Sequence, residues 1–239
     1  MKIAKIINNN VVSTCDEEGR EIIVMGRGVG FKAKEGSTID EEKVEKIFRL
    51  ESQNTMDKFK ELLENLPMEH VQISAEIIGY AKEVLNRPIN PNVYITLTDH
   101  INFALERYKQ KMMFSNPLIR EVRSFYHAEY LIGEYAIAMI ERDLGVKLPV
   151  DEAASIALHI ANAEYDAPMG DTIKITNLIQ QVLEVVREYF SIELDEQSLS
   201  YERFITHLRF LAQRVFTGEH MELDNLEFQK VIDTNLKGT

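Results

Sequence analysis

Residues 1–34 read MKIAKIINNN VVSTCDEEGR EIIVMGRGVG FKAK, and apolar side chains recur in them at about every second position. A period of two is typical of β-strands, whose successive side chains point to opposite faces of a sheet. Runs of Asn, Asp and Gly, which favour turns, interrupt this pattern. The sequence therefore predicts an antiparallel sheet of four short strands, at 2–7, 11–14, 21–25 and 29–34.

From about residue 40 the spacing of apolar residues lengthens to 3.6, which indicates helices. The capping pattern Thr96-Leu-Thr-Asp99 predicts that the third helix begins at Thr96. The predicted helices are 56–65, 69–86, 96–114, 118–144, 151–165, 172–190 and 200–217. The fold class is therefore multidomain α and β, with a small four-stranded antiparallel β domain (1–55) followed by all-α helical bundles (56–169 and 170–239).

A weak internal repeat supports two bundles. The pattern H-I-x-F-x-x-x-R at 100–107 recurs as H-L-x-F-x-x-x-R at 207–214. Far fewer residues follow His207 than follow His100 in the first bundle, so we expect the second bundle to be truncated.

Charge is unevenly distributed along the chain. The net charge is −12, which argues against a general nucleic-acid-binding surface, yet residues 1–34 carry six Lys or Arg and four acids. The first 34 residues are therefore mildly basic, and the remainder is strongly acidic. Cys15 is the single cysteine, which excludes an intramolecular disulfide and predicts a reducing, cytoplasmic location. No apolar run is long enough for membrane insertion or a secretory signal.

Familiar catalytic and cofactor motifs do not match the sequence. The glycines at 26, 28 and 30 lack the spacing and the following helix of a dinucleotide-binding loop. The six histidines show no spacing typical of zinc or di-iron sites, and there is no G-x-S-x-G motif. We expect a protein that is not an enzyme and that needs no cofactor or metal.

The turns at 8–10 and 26–28 are predicted to lie at one edge of the sheet. Asn side chains can bind base edges, Arg27 can pair with phosphate, and Phe31 can stack on a base. Glycines beside Arg27 would let nucleic acid approach the backbone. The alternative is that Asn and Gly serve the turns alone and that Phe31 belongs to the core.

Two histidines of the helical region have two interpretations. His159 lies among apolar residues, and such a histidine is usually a core residue. His100 is predicted in the first turn of its helix, where the helix dipole favours a neutral imidazole and then stabilises an anion, as a phosphate acceptor requires. The alternative roles are capping for Asp99 and His100 and a solvated charge for Arg107.

Two groups of motifs resemble a known family. Residues 1–10 and 24–31 (VMGRGVGF) resemble the co-antiterminator RNA-binding domain of BglG/SacY/LicT-type bacterial antiterminators. Residues 98–107 (TDHINFALER) and 156–164 (IALHIANAE) resemble the histidine motifs of the PTS regulation domain (PRD). The resemblance runs through essentially the whole chain.

This resemblance implies a homodimer whose β domain binds an antiterminator hairpin in nascent mRNA of sugar-utilisation genes, so that the overlapping terminator cannot form. The residues that match the family's RNA surface are Lys5, Asn8, Asn10, Gly26, Arg27, Gly28 and Phe31.

The resemblance also implies phosphorylation of His100 and His159 in the first PRD and of His207 in the second, with Asp99 and Arg107 in support. The donors would be phosphotransferase system (PTS) proteins, either HPr or the sugar permease enzyme II. Phosphorylation would inhibit through the first PRD and activate through the second. The alternative is a helical phosphoacceptor signalling or scaffold protein whose small β domain binds protein rather than RNA. A phosphotransfer enzyme is a third, less favoured option.

Overall fold

The computed structural model describes residues 1–50, 52–112, 115–164 and 169–217. The chain forms two compact units, 1–172 and 173–239. The first unit begins with the strands β1 (Ile3–Asn8), β2 (Val11–Cys15), β3 (Glu21–Met25) and β4 (Lys46–Arg49). Its helices are α1 (Gln53–Asn65), α2 (Met68–Leu85), α3 (Val93–Lys109), α4 (Ile119–Phe125), α5 (His127–Leu144) and α6 (Asp151–Glu164). The last two helices are α7 (Met169–Phe190) and α8 (Leu199–Thr217).

The predicted fold class is confirmed, because an antiparallel sheet of order β1-β2-β3-β4 precedes the helices. The predicted strand at 29–34 is wrong. That segment makes successive turns, with Gly28 and Lys32 at positive φ, which breaks the extended geometry of a strand. The fourth strand is instead β4, which pairs antiparallel with β3 so that Ile23 lies opposite Phe48.

Other segments of the same chain cover both faces of the sheet. On one face, Val12 and Val24 pack with Val29 and Ile39 from the turn-rich connection between β3 and β4. On the other face, residues of β2, β3 and β4 pack against α1 and α2; this group comprises Val11, Ile23, Met25, Phe48, Met56, Phe59, Leu63, Val71 and Ala75. The sheet and the first two helices therefore share one hydrophobic core. The predicted homodimer stays a prediction.

The helices of the first unit pack around a second core, which α2, α3, α5 and α6 line. The contact of α5 with α6 is close at Gly133, where a Cβ atom would lie 2.1 Å from the carbonyl oxygen of Ala153. This close approach places α6 beside α3, and those two helices carry the histidines discussed below.

Several predicted helix boundaries are wrong. The predicted helix 118–144 is two helices, α4 and α5, because the backbone of the buried Tyr126 (φ −126, ψ 50) is not helical. The third helix begins at Val93 with Asn92 as its N-cap residue, so Thr96 and Asp99 lie inside it. The third helix ends at Lys109, five residues before the predicted end at 114, because Gln110 (ψ 2) leaves helical geometry and Lys111 has φ +57. The predicted end of another helix, at 165, falls outside the described residues. None of the described helices is long and apolar enough to cross a membrane.

The second unit contains most of α7 and all of α8. Several apolar side chains of these helices are exposed, among them Val185, Tyr189, Leu211 and Val215. Residues 218–239, the end of the predicted second bundle, lie outside the described residues.

Candidate nucleic-acid interface and histidine pocket

Asn10 brings the two predicted turns together at one end of the sheet. Its carbonyl oxygen accepts a hydrogen bond from the backbone N–H of Gly26 (2.9 Å). Its side-chain oxygen accepts another from the N–H of Gly28 (2.8 Å). The resulting patch of Asn10, Gly26, Arg27, Gly28 and Phe31 is called the turn surface below. Five of the seven residues predicted for RNA binding therefore lie together.

The turn surface presents a cation and an aromatic ring to solvent. The Arg27 side chain is exposed, while its backbone N–H donates to Oε1 of Glu45 (3.1 Å). Phe31 is 59% exposed and so does not belong to the core. The ammonium group of Lys32 lies 5.3 Å from the centroid of the Phe31 ring, which adds positive charge beside a stacking surface.

The two glycines of the turn surface are required by the backbone. At Gly26 a Cβ atom would lie only 1.7 Å from the carbonyl oxygen of Lys43, so any side chain would force the two segments apart. Gly28 has φ +73, a conformation that other residues adopt only with strain. These glycines keep Arg27 on a tight, exposed turn.

The other two predicted RNA-binding residues face α1. Asn8 accepts a hydrogen bond from the backbone N–H of Asn10 (2.8 Å) and donates one from Nδ2 to the carbonyl oxygen of Leu63 (2.8 Å). Leu63 lies in the last turn of α1, where carbonyl groups lack partners within the helix, so Asn8 caps that end. The ammonium group of Lys5 lies 3.9 Å from a carboxylate oxygen of Glu64.

The structure brings His100 of α3 and His159 of α6 together. Their ring centroids lie 4.7 Å apart. Glu152, in the first turn of α6, lies between His100 and Arg107. One of its carboxylate oxygens lies 3.0 Å from Nε2 of His100, and the other lies 2.6 Å from Nη2 of Arg107. These four residues form the histidine pocket.

Sequence reasoning missed Glu152. His100 and Arg107 are seven residues apart on α3, and Glu152 and His159 are seven apart on α6. A spacing of two helical turns places each pair on one face of its helix. This shared spacing was the only sequence signal, because the contact itself joins two helices that are distant along the chain.

Two expectations about the surroundings of His100 are wrong. Because α3 begins at Val93, His100 lies two turns inside the helix, so the helix N-terminus does not provide its electrostatic environment. Arg107 is not a solvated charge, since its side chain is only 13% exposed and pairs with Glu152. Asp99 is exposed and makes no hydrogen bond or ion pair with any other described residue.

His159 is held in its neutral form. Burial, and then the neighbouring His100, lower the pKa of His159 from 6.5 to about 3. Its Nδ1 atom has no hydrogen-bond partner among the described residues. At neutral pH the ring therefore keeps an unprotonated nitrogen, which a nucleophile requires.

His207 lies exposed on α8 of the second unit. Within the described part of the chain it makes no hydrogen bond, ion pair or ring contact. The described residues thus show one histidine pocket, in the first unit. They include no group of three or more side chains that could hold a metal ion.

A small sheet with an exposed Asn-Gly-Arg turn surface, followed by helices that enclose a histidine pair, indicates a regulatory protein with a binding surface and a control site at different places in one compact unit. Comparison with known proteins agrees with this class. Residues 1–57 match the CAT RNA binding domain family, and residues 75–163 and 180–236 match the PRD domain family.

Named relatives include Transcription antiterminator LicT of Bacillus subtilis (strain 168), which is 48% identical over 222 residues, or 93% of this chain and 80% of the relative. The Beta-glucoside operon antiterminator of Dickeya chrysanthemi is 45% identical over 215 residues, or 90% of this chain and 76% of the relative. The crystal structure of GlcT CAT-PRDI has a TM-score of 0.61 and 34% identity, and the match covers 68% of this chain and 97% of that one.

The chain belongs to the BglG/LicT family of transcription antiterminators, which combine a CAT RNA-binding domain with PRD domains. Both relatives bear the names of regulatory proteins, and neither name describes an enzyme.

Proposed function

We propose that the turn surface binds an antiterminator hairpin in nascent mRNA of sugar-utilisation genes and that the histidine pocket controls this binding through phosphorylation. The observation that carries the proposal is the joining of the two turns by Asn10, which displays Arg27 and Phe31 on one exposed surface. Bound RNA would be unable to refold into the overlapping terminator, and transcription would continue.

The chemistry of the turn surface suits RNA with unpaired bases. Side chains cannot reach base edges in the deep, narrow major groove of a continuous RNA duplex, whereas internal loops expose bases for stacking. Phe31 supplies a stacking face, and Arg27 and Lys32 supply charge for phosphates. Asn10 keeps its side-chain NH₂ group as a donor, because its hydrogen bond to Gly28 uses the oxygen. Asn8 would have to give up its hydrogen bond to the carbonyl oxygen of Leu63 to donate to RNA, whereas Lys5 is exposed and pairs with Glu64 only at 3.9 Å.

The histidine pocket suits phosphorylation because it combines a neutral imidazole with a cation. The lowered pKa of His159 keeps that ring neutral, and Arg107 lies beside the carboxylate that contacts His100. Each phosphoryl group adds roughly −1.5 to −2 charge. In a body that is already acidic, this charge would weaken contacts between two copies of the first PRD.

The remaining parts of the proposal are supported by the membership of the chain in the BglG/LicT family. The phosphoryl donors are the PTS proteins HPr and the sugar permease enzyme II, and the chain acts in the cytoplasm as a homodimer. The domains are the RNA-binding domain at 1–55, the first PRD at 56–169 and the second PRD at 170–239, with His207 as a third phosphorylation site.

Binding of the full chain to a short RNA hairpin with internal loops, against a fully paired hairpin of equal length, tests the RNA function. We expect the looped hairpin to bind more tightly at every salt concentration, because phosphate contacts are common to both RNAs and base contacts are not. Equally weak binding that vanishes with added salt would contradict the proposal. The alternative, in which the β domain binds protein, would then be tested next.

A further inference from the structure

Glu152 borders the space that a phosphoryl group on His100 would need. Its carboxylate oxygen lies 3.0 Å from Nε2 of His100, and its side chain is only 8% exposed. The oxygen lies outside the hydrogen-bonding direction of the ring nitrogen, so the contact leaves the nitrogen without a hydrogen bond. A phosphorus atom bonded to Nε2 would place its oxygens against this carboxylate.

Arg107 is oriented so that its guanidinium can pair with either the Glu152 carboxylate or a phosphoryl group on His100. Side chains on a helix lean toward its N-terminus, so the Arg107 side chain extends back along α3 toward His100. On the way its guanidinium lies 4.8 Å from the centroid of the Phe103 ring, which supports it from one side. The guanidinium reaches one oxygen of Glu152 while the other oxygen contacts His100.

The two anions would compete for Arg107. A phosphoryl group carries more negative charge than a carboxylate and offers three acceptor oxygens, so it is the stronger partner for a guanidinium. Like charges in an enclosed site repel strongly, because little water screens them. Glu152 and the phosphoryl group cannot both remain beside Arg107 and His100.

We propose that Glu152 is a positioning residue that holds Arg107 until His100 is phosphorylated and then loses it to the phosphoryl group. This inference rests on the proposed phosphorylation of His100. In the transfer, the ring proton of His100 is on Nδ1 and the lone pair of Nε2 forms a bond to phosphorus. The bond from phosphorus to the donor's leaving atom breaks, that atom keeps the electron pair, and the ring proton stays on Nδ1 of the phosphorylated histidine. Arg107 then turns to the new phosphoryl oxygens, and the Glu152 carboxylate is displaced.

Displacement of Glu152 would change contacts outside the histidine pocket. The neighbouring residue in the first turn of α6, Asp151, accepts a hydrogen bond from the backbone N–H of Asn116 (2.7 Å). The side chain of Asn116 donates to the hydroxyl group of Ser155 (3.2 Å). The start of α6 therefore anchors Asn116, which lies just before α4, and displacement of Glu152 would alter this contact.

The test uses phosphoramidate, a small donor that transfers its phosphoryl group and leaves as ammonia, with the full chain. Phosphohistidine at His100 is followed over time by mass spectrometry. We expect Glu152→Gln to be phosphorylated about tenfold faster than wild type, because the repulsion is gone and a neutral amide holds Arg107 less strongly than a carboxylate does. We expect Arg107→Gln to be phosphorylated more slowly, and its phosphohistidine to have a shorter lifetime.

Two further variants separate positioning from folding. Asp151→Asn removes the same charge from the same helical turn without contact to His100, and we expect its rate to stay within about twofold of wild type. Glu152→Asp keeps the negative charge, and we expect its His100 to be phosphorylated as slowly as that of wild type. A purely structural role of the ion pair would slow both Glu152→Gln and Arg107→Gln, which is why their opposite effects support the proposal.

Two results would overturn the inference. If wild type is phosphorylated on His100 and Glu152→Gln is no faster, Glu152 does not compete, while the proposed function stands. If neither protein gains phosphate on His100, the proposed phosphorylation of this residue fails together with the inference.

Discussion

Replacing Arg27 with alanine should reduce the affinity for the looped hairpin by roughly 5- to 150-fold, the equivalent of about 1–3 kcal/mol for one arginine contact. Arg27 is the exposed cation at the centre of the turn surface, and the hydrogen bonds that shape its turn join backbone groups to Asn10 and Glu45, not to the Arg27 side chain. The substitution therefore removes charge without unfolding the turn. Fluorescence anisotropy with labelled hairpin across a salt series is the measurement.

Arg20→Ala is the matched control. Arg20 is also an exposed arginine of the β domain, but it lies in the turn between β2 and β3, at the opposite end of the sheet, where it pairs with Asp16 and Glu18. We expect this variant to bind the hairpin almost as wild type does. Equal losses in both variants would mean that RNA senses only the overall charge of the domain, and the turn surface would not be the binding site.

Replacing Phe59 with alanine should lower the free energy of unfolding of the first unit by about 3–5 kcal/mol. Phe59 is fully buried in the core that joins the sheet to α1 and α2. Its ring meets that of Phe48 edge-on, with centroids 5.0 Å apart, and also contacts Tyr94 of α3. Truncation would leave a cavity between the RNA-binding domain and the helices. Urea denaturation followed by circular dichroism measures the loss.

Phe190→Ala serves as the comparison for that experiment. Phe190 ends α7 with its ring 62% exposed, so its truncation should change stability by no more than about 0.5 kcal/mol. If Phe59→Ala lowered the free energy of unfolding as little as Phe190→Ala does, the sheet and α1 would not share a core in solution. The RNA-binding domain would then fold independently of the helices.

The first three strands were predictable because each is a short run rich in apolar residues that turn residues bound. The fourth strand was not, since Lys46–Arg49 is four residues long and too short to show a period. Its pairing with β3 is accompanied by the packing of Phe48 against Phe59 and against Tyr94 of α3, contacts that no local pattern reveals. Alternation at 29–34 was misleading because a positive φ at Gly28 and at Lys32 turns the backbone.

The functional residues, like the strands, were predictable where neighbouring residues decide their position and not where contacts between separate helices decide it. The Asn and Gly turns meet as predicted, because strand order alone places them at one end of the sheet. The start of α3 was misplaced because Thr96-Leu-Thr-Asp99 matches a capping pattern, whereas the helix begins at Val93 after Asn92, whose side chain makes no capping hydrogen bond. The sequence did not indicate Glu152 because its partners, His100 and Arg107, lie on another helix.

The most direct test of the account compares hairpin affinity before and after phosphorylation of the histidine pocket. The full chain carrying His207→Ala is treated with phosphoramidate, phosphate on His100 or His159 is verified by mass spectrometry, and the looped hairpin is titrated. We expect affinity to fall by roughly 5- to 150-fold, the usual range of coupling between two sites. We expect no change when His100 and His159 are also replaced by alanine. Equal affinity of the phosphorylated and unphosphorylated chains would contradict control of the RNA-binding domain by the histidine pocket.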